Sequence, residues 1–131
     1  MTSIEYSDRT FDILSCAYRV HSKLGPGQLE KIYEKALMYE LKKKGFNAVS
    51  QQEIHFMYAE DFDLAEGLKV DIMVEDTFII ELKSVETLLP VHFKQLQSYL
   101  KLANKRQGWL INFNVESLRD NIHTIVNPYY K

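Results

Sequence analysis

The feature that most constrains this chain is a pair of short apolar segments separated by only three residues. From Leu68 to Val74, the apolar Leu68, Val70, Ile72 and Val74 alternate with Lys69, Asp71 and Met73, the period-two pattern of a strand. Phe78 to Lys83 follows as a β-rich apolar run, and both segments read as strands. If Glu75 to Thr77 joins them antiparallel as a three-residue connection, residue 71 lies opposite residue 81 on the same face. A two-residue turn would separate them, because a one-residue slip exchanges the two faces of a strand. Two carboxylates held as cross-strand neighbours repel unless a cation lies between them, so Asp71 and Glu81 point to a divalent metal site. Lys83, two residues beyond Glu81, projects to the same side. Such a set suits the delivery of water to a phosphodiester: the ion activates and orients the water, and the ammonium offsets developing negative charge.

A surface strand with alternating charges is the plainer account of the same residues. Against it stands the apolar wrapping of Glu81 by Phe78, Ile79, Ile80 and Leu82, which describes an inner strand where an unpaired charge is costly.

The rest of the chain supplies helices and further strands. Ser7 or Asp8 is the expected cap of a first helix in which Phe11, Leu14, Tyr18 and His21 recur beside Ile13, Ala17, Val20 and Leu24, and Gly25 ends it. Leu29, Ile32, Tyr33, Ala36, Leu37 and Leu41 outline a second helix closing on Lys42, Lys43, Lys44 and Gly45, where cations suit the helix dipole. One or two strands are expected over 46–58 and a polar turn over 59–67. Pro90 marks the first turn of a third helix carrying Phe93, Leu96, Leu100 and Ala103 inward, with Gly108 as its breaker. Strands at Trp109–Asn114 and Ile122–Val126 complete the order. Helices and strands in this order make an α/β sandwich, a mixed central sheet flanked by helices.

Composition narrows the class. A chain of 131 residues with 46% hydrophobic and 26% charged residues is expected to be a single domain, 1–131, able to bury a core without staples. A net charge of −2 argues against a surface that grips nucleic acid everywhere, yet allows a local basic rim drawn from Lys42, Lys43, Lys44, Lys94, Lys101, Lys105 and Arg106, although each taken singly is more simply a solvated helix end or face. Cys16 is the single cysteine and sits in an apolar helical pattern, so a packed core thiol in a reducing cytoplasm is expected. No apolar run has the length of a signal peptide or a bilayer span, which adds to the expectation of a cytoplasmic protein with no membrane partner.

The run Val70, Asp71, Glu81, Leu82, Lys83 resembles the D…ExK core of the PD-(D/E)XK nuclease superfamily, and Gly27, Glu30 and Tyr33 match the spacing that names its GxxExxY family. The resemblance extends from about Asp8 to Asn127 through Gly25-Pro26-Gly27, Pro90-Val91-His92, Gln95 with Tyr99, and Ile111-Asn112-Phe113-Asn114. Val70 stands where the superfamily name has proline. The resemblance implies a restriction-endonuclease-like fold and a small metal-dependent nuclease. It implies that Glu30, Asp71, Glu81 and the Leu82 carbonyl bind Mg2+ or Mn2+, that Lys83 acts with Asp71 and Glu81 in catalysis, and that Gln95, Tyr99 and Tyr33 meet the substrate. Nucleic acid, DNA ahead of RNA, is the implied partner, with a homodimer or a partner protein as a further expectation. A non-catalytic binding module on the same scaffold, or hydrolysis of another phosphodiester, is the alternative. Taken without the resemblance, Glu30 is equally accounted for by the helix dipole, and Tyr33 by packing.

Overall fold

In the computed structural model, which describes residues 2–131, helix α1 (Ser3–Leu24) begins a turn earlier than Ser7 or Asp8 would have it. Thr2 and Glu5 form a reciprocal capping box: the Glu5 N–H donates to Thr2 Oγ1 (3.1 Å) and the Thr2 N–H donates to Glu5 Oε2 (2.8 Å). The buried stripe of α1 is Ile13, Cys16, Ala17 and Val20, and Cys16 is a packed core thiol. Phe11 and Tyr18, counted above among the recurring apolar residues, are exposed instead, because they lie on the side of the helix away from that stripe. Helix α2 (Glu30–Lys43) buries Tyr33, Leu37 and Leu41. Glu40 of α2, also buried, is held between Arg19 (3.5 Å) and Lys23 (3.4 Å) of α1.

The strands are β1 (Ala48–Glu53), β2 (Met57–Ala59), β3 (Phe62–Asp63), β4 (Lys69–Val74), β5 (Phe78–Lys83), β6 (Gln107–Asn112) and β7 (Ile122–Val126). Five of them make one sheet in the order β1-β4-β5-β6-β7, and β2-β3 is a small separate hairpin that runs from the end of the expected strand stretch into the expected polar turn. Only β5 and β6 run parallel, joined by helix α3 (Pro90–Ala103); the other neighbours are antiparallel, so the sheet is mixed. Helices α1 and α2 cover one face, over Ile72, Val74, Phe78, Ile80, Leu82, Trp109 and Ile111. On the other face Leu96 and Leu100 of α3 pack with Met73, Ile79 and Leu110. This is the α/β sandwich with a mixed central sheet expected from the order of elements, and it is consistent with the restriction-endonuclease-like fold that the resemblance implies. Among the described residues no helix is long and apolar enough to cross a membrane.

Gly108 does not break α3. The helix ends at Ala103 with Asn104 in the left-handed region (φ 50°), and Gly108 lies inside β6. A Cβ there would stand 2.5 Å from the Ile79 carbonyl oxygen, so glycine is what lets β6 approach β5. Gly108→Ala is expected to cost about 1–3 kcal/mol, the scale of overpacking in a closed core. A thermal melt checks it, and an unchanged midpoint would show that the strands can move apart freely.

Candidate active site

The site rests on the register of the β4–β5 hairpin. Glu75 and Asp76 both adopt left-handed backbone (φ 55° and 49°), and the Thr77 N–H returns to the Val74 carbonyl (3.0 Å). Left-handed conformations are unfavourable for residues with a Cβ, and here surrounding bonds hold them. Glu75 exchanges hydrogen bonds with the Asn47 backbone and pairs with Arg9, and Lys105 Nζ reaches the Asp76 carbonyl (2.9 Å) and carboxylate (3.0 Å). Thr77 is the extra residue that sets Val74 opposite Phe78, Met73 opposite Ile79 and Ile72 opposite Ile80. Carried one step further, that register brings Asp71 to Glu81.

At that step the regular ladder stops and side chains take over. The Asp71 N–H donates to Glu81 Oε1 (3.2 Å), and the Leu82 N–H donates to Asp71 Oδ2 (2.8 Å). Val70 packs on the α3 side of the sheet whereas Ile72 packs on the other, so β4 rotates at Asp71. The Lys83 carbonyl accepts the Phe113 N–H (2.9 Å). Carbonyls alternate along a strand, so the Leu82 carbonyl is directed to the β4 side, toward Asp71.

Glu81 is 5% exposed, and its carboxyl is pushed up to about 9 by burial first, then by the Asp71 charge and their mutual hydrogen bond, with Lys83 pulling the other way. The repulsion anticipated between the two carboxylates is thus relieved by a proton. Glu30 opens α2 on the far wall of a cavity of about 370 Å³ that it shares with Lys31, Glu34, Gln51 and Asp71. Its carboxyl is also raised, by burial and by Asp71 and Glu34, against the opposing charge of Lys83. Lys83 itself makes no direct ion pair among the described residues. Glu30, Asp71, Glu81 and Lys83 therefore share one electrostatic neighbourhood. They are not drawn tightly together: among the described residues no three His, Cys, Asp or Glu side chains are gathered into a ready metal cage.

The match of the chain to known families decides its kinship. Residues 7–125 match the family model of the PD-(D/E)XK nuclease superfamily. The chain belongs to that superfamily. No curated protein and no solved structure shows a significant match to it. PD-(D/E)XK nucleases generally act with divalent metals on nucleic acid, and the donors here, carboxylate and carbonyl oxygens, are of the hard type that such ions take.

Other residues singled out by the PD-(D/E)XK resemblance fall into two groups. Tyr99 is half-buried on α3, its hydroxyl raised by burial and by the charges of Glu81 and Asp71 and lowered by a hydrogen bond with Gln95, so Tyr99 stands within reach of the carboxylates' field with Gln95 beside it. Tyr33 is different. It is fully buried, stacked on Phe113 at 4.7 Å, and its hydroxyl donates to the Gly25 carbonyl (2.5 Å) while accepting the Gln28 N–H (3.1 Å). Instead of steadying Glu30 or facing substrate, Tyr33 holds the 25–28 turn that delivers Glu30. Asn114 accepts the Gly27 N–H (3.0 Å) and Ser84 donates to the Gln28 carbonyl (2.6 Å), tying that turn to β5 and β6. Asn112 is buried and exchanges two hydrogen bonds with the Val85 backbone, and His92 accepts the Leu89 N–H at the start of α3.

Gln51 and Glu34 escaped the sequence reading. Gln51 sits in β1 where the register would pair it with Asp71, but its φ is 52° and the backbone pairing skips it. Its side-chain amide instead bridges Glu34 Oε1 (2.9 Å) and Asp71 Oδ1 (3.3 Å). A glutamine in a polar strand carries no signal for this, whereas Glu34, one turn after Glu30, was visible as a second acid on that side of α2. Gln51→Gly is expected to leave melting unchanged or to stabilise by up to about 1 kcal/mol, since relief of the strained backbone offsets weak exposed bonds. A clear loss of stability in denaturant titration would show that the amide bridge outweighs the strain.

Proposed function

We propose that this protein is a divalent-metal-dependent nuclease of the GxxExxY group, with DNA ahead of RNA as substrate. The observation that carries the reading is the Asp71–Glu81 pair at the junction of β4 and β5, where the Asp71 N–H donates to Glu81 Oε1 and the Leu82 N–H donates to Asp71 Oδ2. In this reading Glu30, Asp71, Glu81 and the Leu82 carbonyl would hold Mg2+ or Mn2+, hard oxygen donors of the kind that either ion takes. A divalent ion bound there supplies Lewis acidity and a water of lowered pKa.

The chain's own groups do the rest. Glu81 would release its proton to solvent on holding the ion. Asp71, fixed by the Leu82 N–H and the Gln51 amide, keeps its oxygens aimed at the pocket. Lys83, without an ion pair among the described residues, places its ammonium near the attacking water and the phosphoryl oxygens, where it offsets the charge of the transition state. Tyr99, which feels the charges of Glu81 and Asp71, and Gln95 beside it contact the strand being cut.

The test is cleavage of a mixed panel of DNA and RNA, single- and double-stranded, with Mg2+, Mn2+ or EDTA. Cleavage that requires the ion and is lost in a Glu81→Ala, Lys83→Ala double variant is the expected result. Binding of metal and nucleic acid without cleavage anywhere in the panel would replace the enzyme by a binding module.

A further inference from the structure

The outer side of α3 carries a groove that the proposed chemistry does not use. From Thr87 to Val115 the chain contains no Asp or Glu, although it is acidic overall, and that stretch holds Lys94, Lys101, Lys105 and Arg106. Lys105 is occupied by Asp76. Lys94 and Lys101 have no acidic partner among the described residues. They stand two helical turns apart, about 10 Å along the axis by helix rise, on one side of α3.

Two cavities run together along this side. One, of about 500 Å³, lies between Lys94, Ser98 and Lys101 of α3 and the tail Val126–Tyr129; the other, of about 390 Å³, continues from Lys101 and Tyr129 to Phe56. No carboxylate side chain lines either. The tail wall is built rather than draped: Asn127, 6% exposed, donates to the Leu100 carbonyl (3.1 Å) and the Lys105 carbonyl (3.0 Å) and accepts the Tyr129 N–H (2.9 Å). Tyr129 is thereby presented with its ring exposed, and the Lys101 ammonium lies 4.5 Å from the ring centroid.

Lysines without acidic partners among the described residues, beside the exposed Tyr129 ring over which the Lys101 ammonium lies, suit a strand whose phosphates draw the cations and whose bases are free to stack. A duplex offers the phosphates but keeps its bases from the rings. We propose that this groove binds single-stranded nucleic acid outside the cleavage pocket, with Lys94 and Lys101 on phosphates and Tyr129 under a base. The proposal rests on the nuclease reading for its choice of polyanion, and it is tested separately from cleavage.

Binding of a fluorescent oligothymidylate is measured by anisotropy in EDTA over a range of salt. Lys94→Met with Lys101→Met is expected to weaken binding at least tenfold and to flatten the slope of log affinity against log salt by about 1.4, about 0.7 for each lost phosphate contact. Tyr129→Ala is expected to weaken binding about tenfold with the slope unchanged, the scale of one lost base stack, and Tyr129→Phe to restore it. Hydrolysis of bis(p-nitrophenyl) phosphate, which is too small to reach the groove, is expected to be the same in all variants, as are their melting temperatures. An unchanged affinity and slope in the double lysine variant would overturn the groove while leaving the nuclease reading standing. Equal weakening for a matched duplex would overturn the single-strand assignment. Failure of the unmodified protein to bind the oligonucleotide would overturn the groove outright, whereas loss of the small-substrate reaction alone would count against the nuclease reading.

Discussion

Lys83→Ala is expected to cut nucleic-acid cleavage by about 10²-fold or more, the scale seen when one preorganised charge-stabilising group is removed. The same variant should keep its affinity for Mn2+ or gain slightly, because it removes a positive charge beside Glu30 and Glu81 that repels the incoming ion. Glu81→Ala should lose both metal and activity, since it removes the deepest carboxylate of the set. Calorimetric Mn2+ titration beside cleavage rates for the two variants and the unmodified protein separates the roles. If Lys83→Ala loses metal as fully as Glu81→Ala does, Lys83 organises the carboxylates and is not a transition-state group.

The second large effect is in pH. Burial and Asp71 hold the Glu81 carboxyl up to about 9, so at neutral pH it carries a proton that a metal must displace. Mn2+ affinity should therefore climb about tenfold per pH unit from neutrality up to that value and then level off, with about one proton released per ion bound. The linkage to folding has the opposite sense. A carboxyl raised above its ordinary value of 4.5 contributes stability that is fully present below that value and is lost as pH rises through about 9. Glu81→Gln, which cannot ionise, should therefore melt higher than the unmodified metal-free protein at pH 8, by about 4 °C or more for each 1 kcal/mol relieved, and no higher at pH 4. Titrations that show Mn2+ affinity independent of pH between 6 and 9 would mean that Glu81 is already ionised or is no ligand.

The two effects draw on different parts of the chain's information. Local pattern determined the elements on its own. The alternation through Val70, Ile72 and Val74, the apolar run Phe78–Leu82, Gly25 after α1 and Pro90 at the start of α3 each act within a few residues, where steric and hydrophobic preferences operate without help. The register that sets Ile72 opposite Ile80, one step short of Asp71 and Glu81, was legible too, because a connection of three residues fixes it.

What local pattern left open, long-range contacts decided. Phe11 and Tyr18 have the spacing of a buried stripe, but where α2 and the sheet lie determines that α1 buries Ile13 to Val20 instead. Gly108 reads as a helix breaker until the Ile79 carbonyl arrives from another strand, and Tyr33 reads as a site residue until the Gly25 carbonyl and Gln28 N–H occupy its hydroxyl. Gln51 becomes a support of Asp71 only because β1 lies beside β4 with a break in its backbone pairing. The proton on Glu81 has the same origin: a glutamate in a chain ionises near its ordinary value, and only burial beside a second carboxylate makes the charged form costly enough to keep it neutral.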